Sequence, residues 1–446
     1  MNSNLKDLIR VSLAIGQIIS KQNVNIPKNS RVLKPSSIQT SPSPVPTSTV
    51  NRFLRYGQLA TSLAVNSLTN QGTGADILVE SLSRMRGAAL KLGQMISIQD
   101  AVPPEFEKVF RKLRESAQYM PQTQLEEVLI DELGIDWRDT FEEFDMVPFA
   151  AASIGQVHFA KFNGNSVAVK VQYPGIGKSI NSDLALLKKT LLFSNFLPKG
   201  MFIDNLIRVA SEELTNELDY CKEKENMENF KSLIDVSRFK VPKCYFATRR
   251  LLCTEYVPGV SIEQCPNEWR SKVAHNILEL CLKEIFLFKR MQTDPNWSNF
   301  LIMDDGRICL LDFGNTRTFS LEFVQDYYNL LSAAINHQRE SAIQLSIKLG
   351  FLTDRDSTIM TDSHIKALWM LVEPFRVPCY NFATSNVTSE VKKVIPTMAE
   401  YRLRPPPDAS YSLHRKLSGV FLLCKKLGVT VNCQTIFRNV CAKAGL

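Results

Sequence analysis

Between residues 294 and 314 the chain reads Asp294-Pro-Asn-Trp-Ser-Asn299-Phe-Leu-Ile-Met-Asp304-Asp-Gly306-Arg-Ile-Cys-Leu-Leu-Asp312-Phe-Gly314. An Asp-Gly pair between two short apolar runs is a strong signal for a β-hairpin. Closing this hairpin brings the residue that enters the first strand beside the residue that leaves the second strand. Asn299 and Asp312 should therefore lie close together and offer two hard oxygen ligands, which suit Mg²⁺.

Asp294 precedes the hairpin in a loop, where it can accept a proton or orient a nucleophile. The order Asp-x4-Asn, hairpin, Asp-Phe-Gly resembles the phosphoryl-transfer site of protein kinases, in which these side chains hold the metal and the nucleophile. Asp-Phe-Gly alone is a weak signal, whereas the ordered set is specific. The alternative is an ordinary surface hairpin with incidental acidic residues.

Upstream, the segment from Ser166 to Gln172 (SVAVKVQ) alternates like a half-buried strand. Its three valines share one face, and Ala168 and Lys170 share the other. A lysine on an apolar strand is costly unless it meets anions. We predict that Lys170 contacts the α- and β-phosphates of ATP or ADP and that Ala168 lines the adenine pocket. The alternative is a solvent-facing lysine on an edge strand.

The segment before this strand, FAAASIGQV, ends at Val157 and can be aligned with the glycine-rich loop G-x-G-x-x-G-x-V of kinases. The first two glycines are replaced by Ala150 and Ala152, whereas Gly155 and Val157 remain, and Ser153 lies inside the loop. Glycine permits close approach to phosphate. The two methyl groups should therefore restrict the conformations of the loop. By itself, this segment is only a weak indication of a phosphate-binding loop.

Helical patterning covers residues 77–95 and 105–133, and a β-rich section follows from about Phe144 to Tyr173. We predict one long charged helix from about Asp204 to Ile234, in which one acidic residue pairs with Lys170 and the others form a solvated face. From Trp269 onward the pattern is helical apart from one hairpin.

The composition excludes some classes of protein. The chain carries a net charge of +8, with 44% hydrophobic and 22% charged residues, so global disorder is not expected. Runs of interleaved basic and aromatic residues are missing, so we expect no nucleic-acid partner. No stretch of the sequence is apolar enough to span a bilayer. The ten cysteines form no CxxC pair, and five should be buried, reduced thiols: Cys221, Cys244, Cys253, Cys281 and Cys309.

The first 75 residues contain one acidic residue, Asp7, against eight Lys or Arg residues, and residues 35–49 are rich in Ser, Thr and Pro. A basic, Ser-rich, acid-poor start with an amphipathic opening is typical of an organelle transit peptide. The alternative is a plain disordered tail.

In these residues the chain resembles the UbiB/ADCK atypical kinases, which support ubiquinone (coenzyme Q) biosynthesis. It is similar to their mitochondrial members. Four signatures carry the resemblance, which spans roughly residue 77 to the C-terminus: Lys91-Leu-Gly93-Gln94 (KxGQ), Ala150-Ala-Ala-Ser153, Glu217-Leu-Asp219 (ExD) and Gln292-Thr-Asp-Pro-Asn-Trp-Ser-Asn299. The stretch from Pro405 to Lys416 is also similar.

The resemblance implies an α+β, protein-kinase-like bilobal fold with an N-terminal helical extension that lies across the cleft. Lys91 and Gln94 would face Glu217 and Asp219, and Glu223 would be the partner of Lys170. The segment Thr254-Glu255-Tyr256-Val257 would be the hinge that hydrogen-bonds adenine. The implied units are a transit peptide or disordered segment (1–50), the KxGQ extension (51–140), an N-lobe (141–257) and a helical C-lobe (258–446).

The implied function is an atypical kinase or ATPase that uses Mg-ATP in mitochondrial coenzyme Q biosynthesis. It would lie peripherally on the matrix side of the inner membrane, with biosynthetic proteins and anionic lipid as partners and a homodimer allowed. The alternative is a non-catalytic, nucleotide-gated scaffold or lipid-handling protein.

The chain also departs from ordinary protein kinases. Gln292-Thr293 replaces the His-Arg that precedes the catalytic Asp, and no Ala-Pro-Glu follows Asp-Phe-Gly. The arginine that reads activation-loop phosphorylation and the usual peptide-docking platform are therefore missing from the sequence. We expect a small or lipid-like substrate rather than a protein.

Overall fold

The computed structural model describes residues 34–35, 119–152, 154–193 and 202–446. The predicted transit peptide, the KxGQ residues Lys91, Gly93 and Gln94, and Ser153 lie outside the described residues.

Fourteen strands are present among the described residues. In chain order they are β1 Glu143–Phe144, β2 Ala150–Ala151, β3 Gly155–Phe162, β4 Asn165–Gln172, β5 Phe239–Lys240, β6 Cys244–Ala247, β7 Leu251–Glu255, β8 Val260–Ser261, β9 Arg290–Gln292, β10 Phe300–Ile302, β11 Ile308–Leu310, β12 Thr316–Thr318, β13 Tyr380–Asn381 and β14 Thr430–Val431. Six of them form an antiparallel sheet in the order β1-β3-β4-β7-β6, with β2 paired to β3.

Strand β4 lies at the centre of this sheet, so the edge-strand alternative for Lys170 is wrong. Val167, Val169 and Val171 are fully buried on one face. Their β-branched side chains fit the pleated surface of a strand and pack into the core beneath it. Lys170 lies on the opposite face with the intermediate burial that the alternation predicts.

Eleven α-helices surround and follow the sheet within the described ranges. They are α1 Gln122–Leu133, α2 Ile176–Phe193, α3 Ile203–Glu217, α4 Tyr220–Leu233, α5 Arg270–Phe286, α6 Leu321–Ile335, α7 Arg339–Leu349, α8 Thr358–Arg376, α9 Val387–Tyr401, α10 Asp408–Leu427 and α11 Cys433–Lys443.

The predicted single helix from Asp204 to Ile234 is wrong, because the chain breaks into α3 and α4. Asp219 adopts an extended conformation at the break, and its side chain accepts a hydrogen bond from the backbone N–H of Cys221. An aspartate at this position satisfies a helix-terminal N–H that would otherwise lack a partner. Asp219 thus starts a second helix, and Glu223 falls in its first turn.

The predicted hairpin is present. Strands β10 and β11 pair with Phe300 opposite Leu310, and Gly306 takes a positive φ of 77° in the turn between them. Strands β5 and β8 extend the pair to a four-stranded sheet in the order β5-β11-β10-β8. The hairpin is therefore held on both edges, which fixes the two ends that carry the predicted metal ligands.

The section after Trp269 is mostly helical, as predicted, but it contains two small sheets that the sequence pattern does not reveal. Strand β12 pairs with β9, and β13 pairs with β14. Helix α10 packs against α5, and both helices are rich in buried apolar side chains. This pairing brings the C-terminal part of the chain against the loop that follows β9.

All ten cysteines are free, and Cys253, Cys281 and Cys309 are buried as predicted. The prediction was wrong for Cys221, which is exposed at the start of α4, because the apolar character of its neighbours belongs to the opposite side of that helix. Cys244 is half-buried. Among the described residues, none of the helices has both the length and the apolar character required to cross a membrane.

Candidate functional site

Lys170 extends from the central strand into an ion pair with the buried carboxylate of Glu223. The Lys170 Nζ lies 3.0 Å from both Glu223 carboxylate oxygens and 3.6 Å from Asp312 Oδ2. The Tyr220 ring lies beneath the ammonium group, with its centroid 5.0 Å away. These contacts provide the anions that a lysine needs on an apolar strand, and they join the predicted lysine, its predicted partner and the Asp of Asp-Phe-Gly.

The electrostatics of this cluster favour a charged lysine. Burial by itself lowers the pKa of Lys170, but the carboxylates of Asp312 and Glu223 outweigh it and raise that pKa well above its usual value. Burial raises the pKa of Glu223 to about 7, with Lys170 opposing and Asp312 reinforcing the shift. Lys170 is therefore positively charged at neutral pH, and its charge is paired with acidic side chains at the cleft.

The two ends of the hairpin meet as predicted. The Leu311 N–H donates a 3.0 Å hydrogen bond to the Asn299 carbonyl oxygen, so Asp312 follows directly after the residue paired with Asn299. Asp312 Oδ1 accepts a 2.9 Å bond from the Gly314 N–H, and its other oxygen faces Lys170. Asn299 and Asp312 line one small cavity beside the cleft.

The residues present fit a magnesium ion. The Nδ2 atom of Asn299 is buried and has no hydrogen-bond partner among the described residues, which leaves the amide oxygen on the opposite side of the group. With the one-third exposed carboxylate of Asp312, this provides two hard oxygen donors at the cleft.

Phe313 is fixed at three points. Its N–H donates a 3.4 Å bond to Glu223 Oε1, and its carbonyl accepts a 3.0 Å bond from Asn226 Nδ2. Its fully buried ring contacts the Phe230 ring, with centroids 5.1 Å apart. All three neighbours belong to α4, so this helix fixes Asp-Phe-Gly as well as the lysine.

Asp294 lies half-buried in the loop after β9, as predicted. Its Oδ1 accepts a 3.1 Å bond from the Asn296 N–H, which shapes the turn around Pro295. The Thr293 N–H donates a 2.9 Å bond to the Asn315 carbonyl, so this loop is tied to the segment after Asp-Phe-Gly. Asp294 and Asn299 thus project from one short, internally bonded loop.

The two acids of the ExD signature have separate structural roles. Glu217 ends α3, is buried, and accepts a hydrogen bond from Asn315 Nδ2. Asp219 starts α4. The predicted contact of these acids with Lys91 and Gln94 falls outside the described residues and stays a prediction.

The alanine-rich loop is a tight β-hairpin between β2 and β3. Ala150 pairs with Val157, and the Ala152 N–H donates a 2.8 Å bond to the Gly155 carbonyl. A Cβ at Gly155 would collide with the Val171 carbonyl oxygen. The loop therefore lies directly over the strand that carries Lys170, where a phosphate cradle is predicted.

The predicted hinge follows the neighbouring strand. Thr254 pairs with Ala168 across β4 and β7, and the Tyr256 N–H donates a 3.0 Å bond to the Ser166 carbonyl. The Glu255 carboxylate forms an ion pair with Lys240 of β5. Val257 then enters a small apolar cluster, separate from the main core, whose other members are Met303, Cys309, Leu301 and Leu311.

Helix α10 contributes contacts that the sequence did not predict. Arg415 Nη2 donates to both Glu213 oxygens, at 2.7 and 2.9 Å, and to the Thr293 carbonyl at 3.3 Å. A Cβ on Gly419, one turn further along, would collide with the side chain of Pro295. The available signal was the pair of adjacent cations Arg415-Lys416 in the middle of this helix, since such residues are rarely buried unless they are paired.

The chain is similar in sequence to known atypical kinases. The family model described as "ABC1 atypical kinase-like domain" matches residues 112–346. The chain is 41% identical to "Atypical kinase coq-8, mitochondrial" of Caenorhabditis elegans, over 93% of this chain and 61% of that protein. It is 40% identical to "Atypical kinase COQ8, mitochondrial" of Saccharomyces cerevisiae (90% and 86%) and 38% identical to "Atypical kinase COQ8B, mitochondrial" of Rattus norvegicus (89% and 81%).

A solved structure shares the fold. The Mycobacterium tuberculosis protein Rv3197, determined in complex with erythromycin, superposes with a TM-score of 0.58 at 24% identity, over 87% of this chain and 100% of that chain. Together with the family model, this likeness confirms the predicted α+β, protein-kinase-like fold.

Proposed function

The chain belongs to the ABC1 atypical kinase-like family, and from that premise we propose that it binds Mg-ATP and transfers or releases the terminal phosphate in support of mitochondrial coenzyme Q biosynthesis. The observation that carries the proposal is the cluster of Lys170, Glu223 and Asp312 beside Asn299. A charged amine and two hard oxygen ligands at one cleft are what a metal-chelated polyphosphate requires.

In this proposal Lys170 contacts the α- and β-phosphates of ATP or ADP, under the loop formed by Ala150, Ala152, Ser153, Gly155 and Val157. The backbone of Thr254–Val257 hydrogen-bonds the adenine edge, and Ala168 packs against the ring. Leu301 and Leu311, which pack against the small apolar cluster around Val257, form the floor of the adenine pocket.

Asn299 and Asp312 hold the magnesium ion, which neutralises charge on the phosphates during transfer. Asp294 orients the attacking hydroxyl or water and accepts its proton. Its position in an internally bonded loop supports this role, since a catalytic base must be held in a fixed geometry.

We propose a small or lipid-like substrate. Only residues 315–320 separate Asp-Phe-Gly from α6, and β12 within this segment pairs with β9. Such a short segment offers no platform for a peptide comparable to that of protein kinases. This supports the expectation drawn from the missing Ala-Pro-Glu.

The names of three relatives include the word mitochondrial, which supports a mitochondrial site of action. We propose that the protein acts in mitochondria, peripherally on the matrix side of the inner membrane, where anionic lipid attracts a chain of net charge +8. Proteins of coenzyme Q biosynthesis are the proposed partners, and a homodimer is compatible with this role.

The test is phosphate release from MgATP by the purified protein, with and without anionic vesicles. We expect turnover in wild type and a loss of at least about 100-fold in Asp312→Asn, because an amide replaces a charged metal ligand. The matched control is Asp304→Asn, at an exposed position in the same hairpin, which should keep wild-type turnover. Equal turnover in wild type and Asp312→Asn would refute the catalytic assignment.

A second candidate is a nucleotide-gated scaffold or lipid-handling protein, and the observation that favours it is the narrow hairpin that replaces a glycine-rich loop. Ligand binding raises stability by mass action. Thermal stabilisation by Mg-nucleotide without phosphate release would support this candidate over the catalytic one.

A further inference from the structure

A buried ion pair lies behind the hairpin, outside the nucleotide site described above. Lys416 of α10 and Glu284 of α5 are 2% and 1% exposed, with 3.5 Å between Lys416 Nζ and Glu284 Oε2. Lys416 Nζ also donates a 2.6 Å bond to Gln292 Oε1, and Glu284 Oε1 accepts a 3.3 Å bond from the Gln292 N–H. Both charged groups therefore hold Gln292, the residue two positions before Asp294.

A small cavity separates this pair from the predicted metal ligands. It has a volume of about 10 Å³, and its polar lining comes from Glu284, Gln292, Asn299, Asp312 and Lys416. That volume is about the smallest that holds one water molecule. A water at this place needs two to four polar partners, and the lining provides them.

Two polar atoms beside the cavity have unused hydrogen-bonding capacity. Asn299 Nδ2 is a buried donor and Glu284 Oε2 a buried acceptor, and neither makes a hydrogen bond of acceptable geometry with a described residue. The Lys416 ammonium lies 3.5 Å from Glu284 Oε2, an ion pair that leaves this oxygen without a hydrogen bond of acceptable geometry, and it donates a hydrogen bond to Gln292 Oε1. Buried polar groups are rarely left unpaired, and a bridging water is the usual solution.

We propose that one water molecule bridges Asn299 Nδ2 to Glu284 Oε2, and that Glu284, with Lys416 as its counter-charge, is a positioning residue for the metal ligand Asn299. The water accepts from the amide nitrogen and donates to the carboxylate. The amide nitrogen is thereby held toward the protein interior, and the amide oxygen is held toward the cleft.

The orientation of this amide decides whether Asn299 is a ligand. An amide turned by 180° would present two N–H donors to a cation, whereas an amide whose Nδ2 is buried has its oxygen on the opposite side. Partners behind a metal ligand commonly set its orientation, and their loss costs about 10- to 100-fold in metal affinity. The inference rests on the proposed metal-nucleotide function and adds the residues that prepare the site.

The competing explanation is that Lys416 and Glu284 only join α10 to α5. A purely structural pair would affect the melting temperature but not the concentration of metal needed at the cleft. The two explanations are therefore separated by the Mg²⁺ dependence of nucleotide binding, measured independently of turnover.

The experiment is a Mg²⁺ titration at fixed ADP, followed by thermal stabilisation of the full chain. In Glu284→Gln we expect the half-maximal Mg²⁺ concentration to rise about 10-fold or more. The matched control is Glu279→Gln on the same helix. Glu279 pairs with Arg238 and Lys283, so its loss should lower the melting temperature without changing the Mg²⁺ midpoint.

If Glu284→Gln does not fold, Glu284→Asp keeps the charge but withdraws it by one methylene, and the same rise in the Mg²⁺ midpoint is expected. A wild-type midpoint in the folded Glu284 variant would overturn the positioning role while leaving the proposed function intact. Wild-type protein that shows no Mg²⁺-dependent stabilisation by ADP would overturn both.

Discussion

Gly155 is the residue of the alanine-rich loop with the least room for substitution. A methyl group there would collide with the Val171 carbonyl oxygen and lie 3.0 Å from the Tyr220 hydroxyl. We expect Gly155→Ala to lower the free energy of unfolding by about 1–3 kcal/mol, the usual cost of overpacking, and to weaken nucleotide binding because the loop must move. Chemical denaturation and ADP-dependent stabilisation measure the two effects.

Gly177→Ala is the control for that substitution. Gly177 lies in the first turn of α2, and an added Cβ would make only ordinary contact with Leu218, at 3.4 Å. We expect a neutral or slightly stabilising effect, because alanine favours helix more than glycine does. Equal free energies of unfolding and equal ADP-dependent stabilisation in the two variants would show that the close packing around Gly155 does not contribute to stability or nucleotide binding.

Single residues with a strong local signature were predictable. Lys170 was identified because a charge on an apolar strand requires anions, and Asn299 and Asp312 because a hairpin brings its ends together. Lys416 is one of two adjacent cations in α10, but no local pattern indicated that it and Glu284 are partners. Their contacts join helices more than 100 residues apart, and only the packing of α10 on α5 brings them together.

At the scale of elements, helix α10 supports the loop that carries Asp294. Arg415, Lys416 and Gly419 contact Thr293, Gln292 and Pro295, respectively. In Gly419→Ala we expect the added methyl group to displace Pro295 and to lower kcat for phosphate release by about 10-fold or more, since small misplacements of catalytic groups are costly.

Leu422→Ala on the same helix is the comparison for Gly419→Ala. Leu422 is 37% exposed, so its truncation should leave kcat unchanged. Gly419→Ala on its own improves helix propensity by about 1 kcal/mol, so a fall in kcat with a stable fold would isolate the effect on the loop. Wild-type kcat in Gly419→Ala would show that α10 does not position Asp294.

The elements themselves were predictable to differing degrees. Strand β4 and the β10–β11 hairpin follow from alternation and an Asp-Gly turn, which are local signals. The break between α3 and α4 was missed, because the charged pattern continues through it and only the capping geometry of Asp219 reveals it. Pairs β9–β12 and β13–β14 depend on long-range contacts that no local pattern encodes.

For the whole molecule, histidines in β3, α8 and α10 make stability depend on pH. Burial lowers the pKa of His158 to about 4, of His364 to about 3 and of His414 to about 4. Between those values and about 6.5 the unfolded chain binds protons that the native state does not. The free energy of unfolding therefore falls as the pH falls, by about 1.4 kcal/mol per pH unit for each histidine.

Burial raises the pKa values of Glu223 and Glu284 to about 7. These two groups therefore make the free energy of unfolding rise as the pH falls, which opposes the effect of the histidines. The measurement is therefore a difference in slope between variant and wild type, from urea unfolding at pH 5 to 6. We expect His364→Gln to lower the slope by about 1.4 kcal/mol per pH unit. The control is Val167→Ala, which truncates a buried apolar side chain and should lower the free energy of unfolding at every pH without changing its slope against pH. An unchanged slope in His364→Gln would contradict the prediction.

The three-point fixation of Phe313 has a consequence for inhibitor chemistry. Compounds that occupy the space of a displaced Asp-Phe-Gly phenylalanine would have to separate its ring from Phe230 and break its hydrogen bonds to Glu223 and Asn226. Screens against this protein should therefore favour flat, adenine-like scaffolds that leave Phe313 in place. Elongated molecules that require its departure should fail to compete for the pocket.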